Sequence, residues 1–111
     1  MSVRTKDRWE QKKTDESKGI ETLLRERGAF DRVDAYEYNW ATIRVRVIDK
    51  RFKDLPIEKR DAMVERFLKI LPEATQRKIV TLLTFAPDEL DSNSRSALMN
   101  LEFEKPSPSR L

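Results

Sequence analysis

The chain has 111 residues, which suits one domain with a modest core. Its 23 basic and 20 acidic residues leave a net charge of only +3, a weak field for a dedicated nucleic-acid protein. The sequence contains no cysteine and no histidine, which excludes disulfides, thiolate and imidazole catalysis, and metal or iron-sulfur sites built on those ligands. No apolar run near either end is long enough for a signal peptide or a membrane helix, so we expect a cytoplasmic protein.

The first predicted helix follows a charged N-terminal extension. Residues 1–16 carry mixed charges and a lone Trp9 without an apolar period, and we expect them to be frayed or loosely helical. From Ser17 an apolar period begins, and Gly28 stands where a helix end favours a positive φ. The pattern predicts a helix over residues 17–27.

Two alternating segments come next, over residues 33–40 and 42–48, and they predict a β-hairpin. In the second strand Ile43, Val45 and Val47 share one face, while Arg44 and Arg46 share the other. This alternation indicates a sheet that packs on one side, with the arginines on an outer face.

Pro56 then begins a helix over residues 56–71. Its apolar stripe consists of Ile57, Val64, Phe67, Leu68 and Leu71. Arg60 lies at one edge of the stripe, and we expect its guanidinium to reach a strand-end carbonyl or a carboxylate. A short helix after Pro72 and a third strand over residues 79–86 complete the folded domain, which we assign to residues 17–90.

The middle of the chain resembles the BolA-like family over about residues 18–90. The resemblance is carried by the stretch VIDKRFKDLPIEKRD, with Phe52, Leu55 and Arg60 at the family's spacing, and by TFAPDEL at the end of the third strand. It implies an α+β fold of BolA-like type, with the order α-β-β-α-(short α)-β. The expected architecture is a mixed three-stranded sheet with helices on one face, close to the type II KH topology.

The resemblance also bears on cofactors. In better-known branches of the family, a histidine at the position of Asp61 helps to hold an iron-sulfur cluster shared with a monothiol glutaredoxin. A carboxylate differs from imidazole in softness and charge, so we predict no cluster, no metal and no other cofactor here. The KH device for nucleic acid, a Gly-x-x-Gly loop, is also missing, because Gly19 and Gly28 are the only glycines.

Two functions remain open. The leading hypothesis is a non-catalytic regulatory or adaptor protein that acts through protein contacts. The paired carboxylates Asp88–Glu89 and Asp49–Asp54 have no evident cleft for acid-base chemistry. The alternative is a nucleic-acid-binding regulator that uses a basic strand and turn. The candidate contacts are Arg44, Arg46, Lys50, Arg51, Lys53, Lys59 and Arg60. Interleaved acidic residues favour a solvated face over a nucleic-acid footprint.

An apolar patch is predicted on the sheet face opposite the main core. Its residues are Tyr36, Tyr38, Trp40, Leu83 and Phe85. An uncovered patch would mark a partner site, whereas the amphipathic segment LMNLEFE, residues 98–104 of a C-terminal tail over residues 91–111, could fold back and cover it. We favour internal cover slightly and expect the Pro/Ser end of the tail to be flexible.

Overall fold

The computed structural model describes residues 8–91 and 94–106. Its helices are α1 (Asp15–Glu26), α2 (Ile57–Leu68), α3 (Glu73–Lys78) and α4 (Arg95–Glu104), and its strands are β1 (Arg32–Tyr38), β2 (Thr42–Ile48) and β3 (Ile79–Phe85). Short 3₁₀ turns lie at Glu10–Lys12, Lys50–Phe52 and Pro87–Leu90. The protein is a compact α+β domain, as predicted, and the predicted order of elements holds through β3. The expected flexible end falls on residues 107–111, outside the described residues.

The three strands form one mixed sheet in the order β1-β2-β3. β1 and β2 are antiparallel, with Tyr38 opposite Thr42 beside the hairpin turn. β2 and β3 are parallel, with Ile43 opposite Ile79, and such a pair requires a long crossover, which α2 and α3 supply. The register shifts by one residue at Val80, which makes a β-bulge on the edge strand.

One face of the sheet, which we call the first face, packs against α1 and α2 in an apolar core. The buried members include Ile20, Leu24, Val33, Ala35, Ile43, Val45, Val47, Phe52, Val64 and Leu68. Ile57 was expected on the helix stripe but is 56% exposed, because it opens α2 ahead of the turns that lie on the sheet. The prediction that Ile43, Val45 and Val47 share the buried face of the second strand is confirmed.

The start and end of α1 differ from the expected positions. Thr14 is the N-cap, and Ser17 completes a capping box: the Ser17 N–H donates to Thr14 Oγ1 at 3.1 Å and the Thr14 N–H donates to Ser17 Oγ at 2.9 Å. After the helix, the positive φ belongs to Ala29, at 54°, and not to Gly28. A Cβ at Gly28 would lie 2.4 Å from the ring of Phe30, so this glycine permits a close approach.

The opposite face, which we call the second face, is also covered, and the expectation of helices on one face only is wrong. It packs against α4 and the segment that contains Trp9. The buried members are Trp9, Tyr36, Ile48, Leu83, Phe85 and Phe103. Trp9 is therefore part of the core, in contrast to the loose extension expected for residues 1–16. An apolar face of this size is stabilised when the chain itself removes it from water.

Candidate functional site

Arg46 is the centre of a buried polar network on the second face. Its side chain is 1% exposed. One terminal nitrogen donates to Asp34 Oδ2 at 2.6 Å, and the other donates to Asn100 Oδ1 at 2.8 Å and to Glu104 Oε2 at 2.7 Å. The arginine thus links β1, β2 and α4, and its charge is neutralised where it is buried.

Arg44 makes a second link between β2 and α4. It forms an ion pair with Glu102 and donates to the hydroxyl of Tyr36 at 3.1 Å. That hydroxyl donates in turn to the backbone carbonyl of Phe103 at 2.6 Å. The guanidinium carbon also lies 4.6 Å from the centre of the Tyr38 ring. A single side chain therefore binds the helix through charge and the strand through an aromatic ring.

Aromatic rings and arginines form alternating contacts across this face. The ring centres of Tyr36 and Phe103 are 4.9 Å apart, and Trp9 lies 5.7 Å from Phe103. The guanidinium carbon of Arg46 is 4.7 Å from the Phe103 ring and 5.1 Å from the Trp9 ring. Four members of the predicted patch, namely Tyr36, Tyr38, Leu83 and Phe85, belong to this packed cluster. They are part of the protein interior.

Neighbouring basic residues keep the carboxylate of Asp34 ionised. Burial works to raise the pKa of Asp34, but the hydrogen bond from Arg46 and the charges of Arg46, Arg32 and Lys13 outweigh it, so the pKa is lowered. Burial likewise raises the pKa of the Tyr36 phenol. Asp34 therefore stays ionised at neutral pH, where it holds Arg46 in place.

The predicted basic cluster is divided by the fold, which corrects the expectation of one outer basic face. Arg44, Arg46 and Arg60 are buried and paired with carboxylates. Arg51 is more open, yet it pairs with Asp49. Lys50, Lys53 and Lys59 are exposed, and Lys53 lies 3.8 Å from Asp88. Glu102 and Glu104 belong to α4 and Glu89 to the turn after β3, so these carboxylates are remote in sequence from the arginines that they neutralise.

Arg60 reaches both kinds of acceptor expected for it. Its Nε donates to the Leu55 carbonyl at 2.8 Å, and a terminal nitrogen donates to the Thr84 carbonyl at 3.3 Å. Its two terminal nitrogens also bind both carboxylate oxygens of Glu89, at 2.7 and 2.6 Å. Asp61 accepts from the Thr84 hydroxyl at 3.0 Å. This pair of residues joins α2 to the end of β3, which is a structural role.

The carboxylates considered for catalysis also have structural partners. Asp49 is buried and accepts the backbone N–H groups of Asp31, at 3.0 Å, and Arg51, at 2.8 Å. Burial works to raise the pKa of Asp49, but these hydrogen bonds and the Arg51 side chain lower it. The hydrogen bonds from the Arg60 side chain lower the pKa of Glu89. Both carboxylates are fixed in their ionised forms, and neither is poised as a proton donor near neutral pH.

Trp40 lies apart from the patch in which the strand period placed it. It occupies the hairpin turn, where its side chain is 88% exposed. Trp40 and Ala41 have φ values of 56° and 63°, and the Thr42 N–H donates to the Asn39 carbonyl at 3.1 Å. The loop between the paired residues Tyr38 and Thr42 thus contains a β-turn whose two central residues are both left-handed, a conformation that favours Asn-Gly. Non-glycine residues in the left-handed region cost on the order of 1–3 kcal/mol each.

A groove lies at the same end of the sheet as this turn. Its volume is about 340 Å³, and its walls are Glu65, Leu68, Lys69, Gln76, Ile79, Val80, Thr81 and Leu82. β3 begins beside the start of β2, because Ile43 is opposite Ile79. The bulge leaves Val80 59% exposed on the edge strand. No pattern in the sequence predicts the groove, since α2, α3 and β3 each contribute to it.

No family model matches the chain, and no curated protein matches its sequence. Within residues 8–91 and 94–106, no group of three or more Asp or Glu side chains is arranged to hold a metal ion. None of the helices in the part of the chain that the structure describes is long and apolar enough to cross a membrane.

Proposed function

We propose that this chain is a non-catalytic regulatory or adaptor protein of BolA-like type, which acts in the cytoplasm through protein contacts at the tip of its hairpin. The mixed sheet and the order of elements from α1 to β3 are those that the resemblance implies, and they support the assignment. The absence of cysteine and histidine from the sequence supports a role without cluster ligation.

Trp40 is the observation that carries the proposal. It is the most exposed of the large apolar residues described, at 88%. Its backbone has a left-handed conformation, with a φ of 56°, that is unfavourable for a tryptophan. Tryptophan is enriched among the residues that dominate binding energy in protein interfaces. Backbone outliers of this kind concentrate at functional sites, because the local cost must be offset elsewhere. A tryptophan retained at this cost on a protruding turn is explained by a partner that covers it.

The nucleic-acid alternative has less support. Affinity for nucleic acid grows with the number of phosphates that a surface neutralises. Arg44, Arg46 and Arg60 already neutralise Glu102, Glu104 and Glu89, which leaves mainly the exposed lysines of the predicted cluster. We expect only weak binding that disappears as salt rises, and a gel shift that persists at 200 mM salt with a steep salt dependence would favour this alternative.

The experiment compares partner capture by the full chain and by the double variant Trp40→Asn/Ala41→Gly, each repeated with nuclease. The variant keeps the turn, because Asn-Gly is the favoured pair there, and we expect it to be more stable by about 1–2 kcal/mol. We expect partners that survive nuclease to be captured by the parent chain and lost by the variant.

The control variant is Ile57→Asn, which removes an apolar side chain of moderate exposure on the first turn of α2. We expect it to capture the same partners as the parent chain. Equal capture by the parent and the Trp40→Asn/Ala41→Gly variant would refute the proposed contact, and loss of all partners with nuclease would favour the nucleic-acid alternative.

A separate test concerns the iron-sulfur cluster. Asp61 accepts a hydrogen bond from Thr84, and its carboxylate is a poor replacement for an imidazole ligand. We expect no new visible absorption when the chain is mixed with a cluster-loaded monothiol glutaredoxin. Asp61→His tests whether this one position is the difference, and a new absorption band with the unaltered chain would contradict the expectation.

A further inference from the structure

We propose that the chain forms a two-fold dimer in which Trp40 of each copy occupies the groove beside β3 of the other. The inference rests on the function proposed for Trp40 and assigns that residue a partner, a second copy of this chain. In a two-fold interface the same patch serves both subunits, so the patch must contain both the protruding group and its receptor.

The placement of the two features meets this requirement. The hairpin turn and the first residues of β3 lie at one end of the sheet, since Tyr38 is opposite Thr42 and Ile43 is opposite Ile79. Trp40 is absent from the residues that line the groove in its own molecule, and its side chain faces solvent. The protruding side chain and an open groove therefore occupy neighbouring parts of one surface.

The groove has the size and lining that an indole requires. Its volume of about 340 Å³ exceeds that of one aromatic side chain, and Leu68, Ile79 and Leu82 supply apolar walls. The bulge at Val80 adds an exposed apolar side chain on the open edge of β3. A tryptophan side chain that enters this groove removes apolar area on both partners from water.

Charged residues beside the turn and the groove are complementary. Glu37 is exposed on β1 and lies opposite Ile43, on the sheet face that packs against α2. Lys69 and Glu65 are exposed at the groove. Within the described ranges, the side chains of Glu37 and Lys69 have no ion pair of their own. Insertion of Trp40 would bring Glu37 of one copy toward Lys69 of the other, twice in the symmetric dimer.

The expected interface is small. Each buried indole removes on the order of 200 Å² of its own surface, and the groove walls lose a similar area. Two such insertions give roughly 800 Å², which is below the roughly 1,200 Å² of stable specific interfaces and is typical of weak, transient contacts. The dimer should therefore dissociate on dilution, with a dissociation constant in the micromolar range.

Sedimentation equilibrium of the purified full chain, from about 1 to 500 µM, tests the inference. We expect a monomer-dimer equilibrium for the parent chain and a monomer throughout for Trp40→Asn, which suits the left-handed turn. Ile57→Asn is the matched control and should dimerise like the parent. A parent chain that remains monomeric, or a Trp40→Asn variant that dimerises equally, would overturn the inference.

A charge exchange tests the relative arrangement of the two copies. Glu37→Lys and Lys69→Glu should each weaken dimerisation by about three- to fivefold at low salt, because each puts like charges together. The double variant should recover most of the parent affinity. If the two single effects simply add in the double variant, the proposed pairing of Glu37 with Lys69 is wrong.

The outcome is separable from that of the proposed function. If the purified chain is monomeric while Trp40-dependent partner capture persists, the dimer is refuted and the contact function stands. If the Trp40 variants change neither dimerisation nor capture, both are refuted.

Discussion

The two faces of the sheet are covered by different chemistry. On the first face, aliphatic side chains from β1 and β2 pack against α1 and α2. On the second face, aromatic rings and buried arginines pack against Trp9 and α4. Val45 and Arg46 are adjacent in β2 and equally buried, yet they point into these two different environments.

The two faces are therefore stabilised in different ways, the first by apolar burial and the second by specific ion pairs and hydrogen bonds. Burial of the aliphatic side chains on the first face does not itself change with pH, and it tolerates adjustment of individual contacts. The second face depends on specific partners, because an arginine buried there is costly without its carboxylates. Perturbations of α4 should therefore affect stability as strongly as perturbations of the main core, and in a pH-dependent way.

Removal of residues 91–111 is expected to have the largest effect. It exposes the aromatic cluster and leaves Arg44 and Arg46 without Glu102 and Glu104. The loss should exceed the roughly 3–5 kcal/mol typical of deleting one buried aromatic side chain, which approaches the whole stability of many small domains. Urea unfolding followed by circular dichroism measures it, and an unchanged midpoint would contradict the account of the second face.

Phe103→Ala should be the next most damaging change. Phe103 is fully buried and contacts Trp9, Tyr36 and Arg46, so we expect a loss of about 3–5 kcal/mol in the free energy of unfolding. Leu101→Ala, in the same helix and half exposed, is the control and should change stability by less than about 0.5 kcal/mol. Similar losses for the two variants would mean that α4 is not docked by its Phe103 side.

Arg46→Met tests the polar part of the second face. Methionine retains much of the arginine's length but leaves Asp34 and Glu104 without this partner, and we expect a loss of about 3 kcal/mol. The loss should be smaller at high salt, because added ions screen the attraction between Arg46 and the partly exposed carboxylate of Glu104. Chemical denaturation with urea at low and high salt provides the measurement, and a more stable variant would show that the network favours specificity over stability.

The smallest expected effect is the pH dependence of Asp34. Its folded pKa is lowered, so its contribution is complete above its unfolded pKa of about 3.9 and is lost as the pH falls through the folded value. The stability advantage of the parent chain over Asp34→Asn should therefore be largest at pH 7 and shrink below about pH 4. Val45→Ala, on the first face, should lower the free energy of unfolding by the same amount at pH 7 and below about pH 4. If the difference in stability between the parent chain and Asp34→Asn does not change with pH, the stabilising role assigned to the ionised Asp34 carboxylate is wrong.

The sequence predicted the first face better than the second for a physical reason. The alternation of Ile43, Val45 and Val47 is a local pattern that specifies which side of a strand is buried. The alternating arginines between them resemble a solvated face, and their partners lie far away: Arg46 and Glu104 are 58 residues apart in the chain. No local pattern distinguishes an exposed arginine from one neutralised by a remote helix.

The candidate contact surface was predicted only in part, for a similar reason: Trp40 was named as an interface residue but was assigned to the wrong surface. The strand period assigned Trp40 to the same face as Tyr36. The strand ends at Tyr38, however, and Trp40 lies in the turn that follows it. Its left-handed φ values occur without the Asn-Gly pair that usually signals such a turn. The groove depends on how α2, α3 and β3 meet, which a sequence pattern does not specify.

The most direct test of the account is the accessibility of α4 to a thiol reagent, because the chain contains no cysteine of its own. Leu98→Cys places a thiol on the outer side of α4, and Met99→Cys places one next to it, against the second face. A docked helix predicts that Cys at position 98 reacts at the rate of an unfolded peptide and that Cys at position 99 reacts at least about tenfold more slowly, which corresponds to about 1.4 kcal/mol of opening free energy. Equal and rapid reaction at both positions would contradict the claim that α4 closes the second face.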